Sequence, residues 1–446
     1  MSWIRFVHLS DIHFGRPGQK GAYDLDSHLR NELEADLVRI VKKFGTFKGV
    51  LVTGDIAFSG EVKQYDTAKE WLDKICRILG CPDHSVWTVP GNHDVVRSYF
   101  RKSKPTRDFH SKVRSIDPSK VDAELSEAMQ DNELGPGLLA STSAYNNFAA
   151  PYGCQVEPFK PYWSFDFDLN DGSKLRVRGL TSTIISDNMD DSGAHKLVLG
   201  TAQVNLMRET GVAHMTLCHH PPSWLIDQDV VERKLRALAS IQLYGHKHNQ
   251  VLEQIGNTVR ITAGAVHPDR GGFEWRPRYN IISTMVEGVD TRRKLAVQVD
   301  ARVWDESAQK FVADYYDGSE SQIFSLALDD WTMPQAVEEE SSLVLTEIQS
   351  YQAVAEVLME EKIQVLGESV MNPIRRFAYR FLNLPYHKQV EVAQKFGLFE
   401  DDDRTIYGSD LFSRFLERAN RNQVAADFWE AVEKEYSDPS SSNPFH

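Results

Sequence analysis

The 446-residue chain has little cysteine, no long apolar run and a deficit of positive charge. No stretch approaches the roughly 18 apolar residues that span a bilayer, so no membrane association is expected. Four cysteines, Cys76, Cys81, Cys154 and Cys218, are too few for a disulfide scaffold. None stands in a C-x-x-C pair, which argues against a cysteine zinc site. The N-terminal MSWIRFVHLSD lacks a basic segment followed by a long apolar one. No secretory leader is read there, and the expected compartment is a reducing cytoplasm. Basic residues number 50 against 64 acidic, a net charge of −14, which argues against a protein that coats nucleic acid. The deficit is uneven: residues 331–446 hold 11 Lys and Arg against 20 Asp and Glu, net −9, leaving only −5 on the other 330. A polyanionic substrate therefore stays compatible with the larger part.

What is present is a globular composition, 41% hydrophobic and 26% charged. The length suits two to three domains. Ile4 to Leu9 reads as a strand running into Ser10-Asp11. Residues 26–44 read as a helix, with Leu29, Leu33, Leu37, Ile40 and Val41 at helical spacing. Val50 to Val52 is a buried strand ending at Gly54-Asp55, residues 63–79 a second helix, and Val86 to Val89 a strand ending at Pro90-Gly91. This β-α-β-α-β order marks a layered α/β domain. Further strands are expected at 162–169, 174–180, 213–218, 241–244, 250–255, 258–263, 279–286 and 294–302. Residues 95–160, a basic stretch followed by turns around Gly135-Pro136-Gly137, read as an insertion over one face. The expected catalytic domain is 1–304, followed by an acidic linker at 305–342. Residues 343–436 read as all-helical, with five apolar stripes marked by Leu345, Ile374, Tyr386, Leu411 and Val424, and 437–446 as a disordered tail.

Five short motifs stand at the ends of expected strands: Asp11-x-His13, Gly54-Asp55, Gly91-Asn92-His93-Asp94, His219-His220-Pro221-Pro222 and Gly245-His246-Lys247-His248. In an open α/β sheet the carboxyl ends of the strands form the ligand crevice, so five dispersed motifs converge on one site. Carboxylates, imidazoles and one amide oxygen suit manganese, iron, zinc or magnesium rather than copper(I) or an iron–sulfur cluster. Two divalent ions roughly 3.5–4 Å apart need a shared anionic ligand, which an aspartate on a tight turn supplies. Such a pair clamps a phosphoryl group, activates a bridging water and stabilises the leaving oxygen. Taken singly, each motif is a common turn; their joint order is not.

The ordered set D-x-H, G-D, G-N-H-D, H-H-P-P, G-H-x-H resembles the calcineurin-like metallophosphoesterases over about residues 3–300. The resemblance implies a four-layer α/β/β/α sandwich with a dinuclear metal centre, here followed by an all-helical C-terminal domain. It implies that Asp11, His13 and His248 bind the first metal, that Asp55 bridges, and that Asn92, His219 and His246 hold the second. His93 is implied as a donor of a proton or hydrogen bond to the phosphoryl or leaving-group oxygen. His219 is preferred over His220 by the family's H-x-P spacing, and His220 is expected to line the pocket. The G-D-x-x-D-R-G motif of the Ser/Thr phosphatase branch is absent, since Gly54-Asp55 continues Ile56-Ala57-Phe58-Ser59-Gly60. LSDIHFG, VTGDIAFSG, VPGNHD and HHPP are similar to the class III cyclic-nucleotide phosphodiesterase branch. The implied reaction is hydrolysis of phosphodiesters in nucleotides or nucleic acid through a metal-bridging hydroxide, with manganese the first choice of metal. The alternatives are a nuclease effector of a bacterial defence system, a phosphomonoesterase, and a non-catalytic metal-binding regulatory subunit.

Residues 95–120 carry eight basic residues against Asp108 and Asp117, with Tyr99, Phe100 and Phe109 interleaved. Arg97, Arg101, Lys102 and Lys104 are candidates for gripping a polyanionic backbone or nucleotide; a solvated, salt-bridged helix is the competing reading. A second basic–aromatic stretch, His267 to Arg278, is a candidate pocket rim. The C-terminal helices resemble the small acidic adaptor domains of bacterial conflict systems. That resemblance implies a protein partner or self-association through 343–436, with a cap on the catalytic domain as the competing reading.

Overall fold

A computed structural model describes residues 3–17, 24, 26–190, 196–267, 276–289 and 292–331. In the C-terminal part it describes 377, 380, 381, 384, 386–400, 403, 408–422 and 424–434. The chain divides into two units, Met1–Gln335 and Ala336–His446.

The first unit is built on two sheets. Strands β1 (Ile4–Leu9), β2 (Gly49–Val52) and β3 (Val86–Thr88) run parallel, linked through helices α1 (Ser27–Phe44) and α2 (Val62–Leu79). The insertion then contributes α3 (Arg97–Lys102), α4 (Lys104–Ser115), α5 (Val121–Gln130), α6 (Leu134–Leu139) and α7 (Ser143–Ala149). Next come β4 (Tyr162–Asp168), β5 (Lys174–Leu180), α8 (Thr201–Val204), β6 (Val212–Cys218), α9 (Gln228–Leu238) and β7 (Ile241–Tyr244). They are followed by β8 (Val251–Ile255), β9 (Thr258–Thr262), β10 (Arg278–Glu287), β11 (Lys294–Asp305), β12 (Lys310–Ala313) and β13 (Ser321–Ala327). The first sheet has the order β12-β11-β10-β1-β2-β3, with β13 also on β11, and the second the order β4-β5-β6-β7-β9-β8. They stack face to face: Phe6 of β1 and Trp87 of β3 meet Phe167 of β4 at ring-centroid distances of 5.0 and 4.9 Å. Leu29, Leu33, Leu37 and Ile40 of α1 bury the stripe expected of an amphipathic helix. The fully buried Asp36 on that face takes the bidentate Arg302 guanidinium at 2.7 and 2.8 Å and the Tyr279 hydroxyl at 2.6 Å, joining α1 to β10 and β11. On the second sheet, Arg260 of β9 pairs with Glu232 of α9 at 3.0 Å. The result is the expected α/β/β/α layering.

Two expectations need correction. The linker reading of 305–342 fails over its first half, because β12 and β13 pair with the two halves of β11 inside the first sheet. These edge strands alternate buried and solvent-facing residues, so their composition looks like a loop. Gly135-Pro136-Gly137, read as a turn, lies inside α6, where Asp131 accepts the Glu133 and Leu134 amides at 2.9 and 2.7 Å. A proline in the first helical turn lacks only an N–H that would be unpaired anyway. Phe109, Val113, Leu125, Leu138, Tyr145 and Phe148 of the insertion join the main core. Tyr145 donates to Thr88 O at 2.9 Å, at the end of β3.

In the second unit, α10 (Tyr386–Lys395), α11 (Gly408–Arg421) and α12 (Ala425–Lys434) share a core of Phe377, Phe381, Phe415, Phe428 and Trp429. The buried Asp403 takes Arg418 and, at 3.5 Å, Arg414. The helix expected near Leu345, most of that near Ile374, and the tail lie outside the described residues. The four cysteines are free thiols. Among the described residues no helix is long and apolar enough to cross a membrane.

Candidate metal centre

The parallel strands β1, β2 and β3 of one sheet and β6 and β7 of the other deliver the five motifs at their carboxyl ends. The loops are sewn together by backbone. Asp11 N–H donates to Gly54 O at 3.1 Å, Ile12 and His13 N–H both donate to Asp55 O at 2.9 and 3.0 Å, and Gly245 N–H donates to His219 O at 3.0 Å. Such close approach explains two motif glycines. A Cβ on Gly91 would stand 2.2 Å from Asp55 Oδ1, and one on Gly54, which has φ +91°, would stand 2.7 Å from His219 Nδ1. Asp11, His13, Asp55, His246 and His248 all have positive φ, between 53° and 68°. Among the described residues only Gln309 and Asp317 share this among non-glycines. A left-handed residue costs about 1–2 kcal/mol, so five of them at one site mark a backbone bent to aim side chains inward.

The side chains converge. Asp11, His13 and His248 bring one donor atom each within 4.8 Å of one another; so do Asp11, Asp55 and His219, and also His219, His220 and His246. His248 Nε2 lies 3.2 Å from Asp11 Oδ1, and His219 Nε2 lies 3.3 Å from Asp55 Oδ2 and 3.2 Å from Asn92 Oδ1. Asp11 Oδ1 and His13 Nδ1 are buried without a hydrogen bond. Orphaned buried donors and acceptors in a cluster of ligand-type side chains fit a cation. Ionisation favours the same reading. Burial would raise the Asp55 carboxyl, but His219, His13 and His93 hold it well below the usual range. Burial pushes His13 down to about 3 and His246 down to about 4, leaving both neutral, the form in which imidazole ligates. Burial also opposes protonation of His219, yet Asp55 and Asp11 push it up to about 9. It is the proton-holding counter-charge that a metal would displace.

His93 is half-buried. Its backbone N–H donates to Asp55 Oδ1 at 2.8 Å, and its Nδ1 donates to Phe58 O at 2.8 Å. It also falls within 4.8 Å of His13 and Asp55 donor atoms. His220 does not line an open pocket: it is fully buried, with Nδ1 2.8 Å from Ser182 Oγ and Nε2 3.2 Å from Asn92 Oδ1. The Trp224 ring lies 6.1 Å from that of His220 and 4.2 Å from that of His246. Three basic residues of the stretch after G-N-H-D form ion pairs within the domain. Lys104 pairs with Asp108 at 2.6 Å, Lys112 pairs with Glu124, and Arg114 binds Asp187 at 2.7 Å and the Ile185 and Lys196 carbonyls. Phe109 is core and Phe100 stacks on His110, so neither ring is presented for stacking on a base. Lys102 is exposed, Arg97 is half-buried, and the Arg101 side chain lies outside the described residues. So do 268–275 of the second basic stretch, whose Arg278 pairs with Asp314 at 3.0 Å.

Sequence reasoning missed a supporting layer. The buried Asp94 accepts the Gly91 and Ala57 amides at 2.9 Å, Ile56 N–H at 3.2 Å and the Tyr65 hydroxyl at 2.9 Å, buckling the G-D and G-N-H-D loops together. Beneath the site, Gln250 donates to Asn280 at 2.6 Å, Asn280 to His8 Nδ1 at 3.5 Å, and His8 Nε2 to Thr53 Oγ1 at 3.0 Å. The Thr53 carbonyl takes His219 Nδ1–H at 2.7 Å. His267 Nδ1 donates to the Ile12 carbonyl, between two metal-type residues, at 2.5 Å.

The family model of calcineurin-like phosphoesterases matches residues 4–250, and that of the GTPase-associated adaptor domain matches residues 373–434. The uncharacterized metallophosphoesterase-like protein YydB of Bacillus subtilis is 26% identical over 280 residues, 60% of this chain and 54% of YydB. The chain thus spans about half the length of that relative. A putative 5′-nucleotidase of Staphylococcus aureus is 14% identical with a TM-score of 0.35, over 82% of this chain and 60% of its own. A novel archaeal phosphodiesterase is 10% identical with a TM-score of 0.26, over 72% of this chain and 100% of its own. Those structural likenesses are too distant to speak to substrate. With a match over more than half of its length, falling on a site of converging carboxylates and imidazoles, the chain belongs to the calcineurin-like phosphoesterases, a family that binds two divalent metals.

Proposed function

We propose that the chain hydrolyses phosphodiesters of nucleotides or nucleic acid with two divalent ions, manganese foremost. The observation that carries this is the convergence of Asp11, His13, Asp55, Asn92, His219, His246 and His248 around orphaned buried donor atoms. Asp11, His13 and His248 would hold one ion, Asn92, His219 and His246 the other, and Asp55 would be shared. When bound, the ions supply Lewis acidity toward the phosphoryl oxygens and activation of water. The chain's own residues do the rest. His93, fixed through Nδ1–H on Phe58 O, carries a second proton on Nε2 when it is the imidazolium, and that proton can pass to the leaving oxygen. Its backbone N–H pins Asp55 Oδ1, so the acid and the shared carboxylate are held by one turn. Two half-exposed rings border the ligands, Phe58 at 5.3 Å from the His93 ring and Trp224 at 4.2 Å from that of His246. Aromatic rings beside the ligands favour a substrate with an aromatic or nucleoside arm.

The adaptor-domain match favours a second element of the reading: residues 373–434 dock the enzyme to a protein partner, as a nuclease effector of a defence system would need. Four free thiols fit a reducing cytoplasm. The test is a manganese-supplemented panel of aryl phosphate mono- and diesters, cyclic nucleotides, single- and double-stranded DNA, and RNA. Diesters should turn over faster than monoesters, and Asp55→Asn should abolish activity and deplete bound metal. Preference for monoesters, or a fully metallated and active Asp55→Asn, would overturn the proposal.

A further inference from the structure

The H-H-P-P motif sets two adjacent, fully buried histidines against the same amide oxygen, Asn92 Oδ1, each with Nε2 at 3.2 Å. We infer that they have different tasks: His219 is the ligand, and His220 is a positioning residue that holds Asn92 for the second metal, with Ser182 setting its tautomer. The inference rests on the two-metal reading above.

Counting hydrogens separates the two rings. The Thr53 carbonyl can only accept, so at 2.7 Å it takes the hydrogen of His219 Nδ1. A second proton on the metal-free ring then sits on Nε2, facing Asn92 Oδ1 at 3.2 Å and Asp55 Oδ2 at 3.3 Å. A metal that displaces it meets a lone pair on each of the three atoms, which repel one another unless a proton or a metal ion lies among them.

His220 is wired the other way. Its backbone N–H donates to Ser182 Oγ at 3.4 Å, and the same oxygen lies 2.8 Å from His220 Nδ1. Ser182 is fully buried and has one hydroxyl hydrogen to place. Its other neighbour is the Cys218 thiol, a weak acceptor. His220 Nδ1 at 2.8 Å is the stronger acceptor of the two, and we assign the hydrogen to it. The ring hydrogen of neutral His220 then sits on Nε2 and donates to Asn92 Oδ1. An amide oxygen has two lone pairs. One takes this N–H and the other is left for a cation, and the donation fixes the oxygen rather than the NH₂ toward the ligands. The His246 ring at 4.5 Å and Trp224 at 6.1 Å wedge the imidazole against rotation.

The experiment titrates manganese into the metal-free full-length chain by calorimetry, with stoichiometry by mass spectrometry and the dinuclear signal by electron paramagnetic resonance. His220→Leu should keep one ion and weaken the second by about 10–100-fold, the usual effect of losing a group that orients a ligand. It should turn the coupled two-ion spectrum into that of one ion. His220→Gln, whose amide N–H reaches the position of Nε2, should restore the second ion to near wild-type affinity, and Ser182→Ala should fall between. Equal loss of the second ion in the Leu and Gln variants would make His220 a ligand and overturn the inference. Two ions bound by His220→Leu at unchanged affinity would overturn it as well. A wild-type chain binding fewer than two ions would instead remove the two-metal reading itself, and this inference with it. Circular dichroism of the metal-free variants checks the fold, and Ser182→Ala, which deletes one oxygen, carries the test if His220→Leu fails to fold.

Discussion

Replacing Asp94 by alanine should both loosen the domain and empty the site. The carboxylate is fully buried and accepts four donors: Ala57 N–H and the Tyr65 hydroxyl on one oxygen, Gly91 and Ile56 N–H on the other. Alanine strands the three amides in the buried turn, while the Tyr65 hydroxyl keeps the backbone carbonyl of residue 94 at 3.3 Å. A buried donor left unpaired costs about 1–3 kcal/mol, so the gross loss is about 3–9 kcal/mol. Part is returned, because the charge itself is uncomfortable: burial and then Asp55 push the Asp94 carboxyl up to about 6. A net loss of about 3–5 kcal/mol follows. At roughly 2 °C per kcal/mol for a domain of this size, the catalytic unit should melt about 6–10 °C lower. Scanning calorimetry of the metal-free chain reads this directly. Asn92 and His93 lie on the buckled turn, so manganese affinity at the second site should also fall about 10–100-fold. Asp94→Asn should lie between, since one amide oxygen keeps at most two donors and the NH₂ opposes the others. A melting shift below about 2 °C together with unchanged metal affinity would refute the buckle.

His93→Ala should keep both ions and the fold while lowering diesterase turnover by roughly 10²–10⁴, the worth of a positioned proton donor; loss of an ion with turnover preserved would make His93 a ligand. Trp224→Ala and Phe58→Ala should weaken binding of aryl or nucleoside diesters by about 1–3 kcal/mol, the scale of ring stacking, and by more than they lower dimethyl phosphate hydrolysis. Equal losses on both substrates in steady-state kinetics would assign the rings to packing alone.

Much of the layered fold is legible in the chain because buried parallel strands are short apolar runs and their crossover helices carry one apolar stripe. Ile4–Leu9, Gly49–Val52 and Val86–Thr88 stand out around α1 and α2 for that reason. Edge strands do not. β13 turns Ile323 to solvent, where it is 66% exposed, while Leu326 is buried, and it sits beside Asp- and Gly-bearing turns. Periodicity over seven residues with one face wet looks like a linker, and pairing with β11, about 27 residues away in register, is invisible locally. Proline misleads in α6 for a related reason: its meaning depends on whether it falls in the first turn or the middle of a helix, and Asp131 decides that from outside.

The ligand set is legible for a chemical reason. A metal accepts few donor types, and side chains from one turn reach one ion only at short fixed spacings, as in Asp11-x-His13 and His246-x-His248. A hydrogen bond that braces a ligand has no such restriction. Asn280 reaches His8 across 272 residues, Thr53 meets His219 across 166, and Ser182 meets His220 across 38. Any polar side chain on any crossing strand can serve, so no spacing announces them. His219 and His220 bring the two cases side by side. They share one tetrapeptide, one degree of burial and one distance to Asn92, and nothing in H-H-P-P tells ligand from brace apart from the family's H-x-P spacing. Their partners do: a carbonyl that can only accept under one ring, and a hydroxyl whose better acceptor is Nδ1 under the other, put the metal-facing lone pair of the first and the proton of the second on the same side of the same amide.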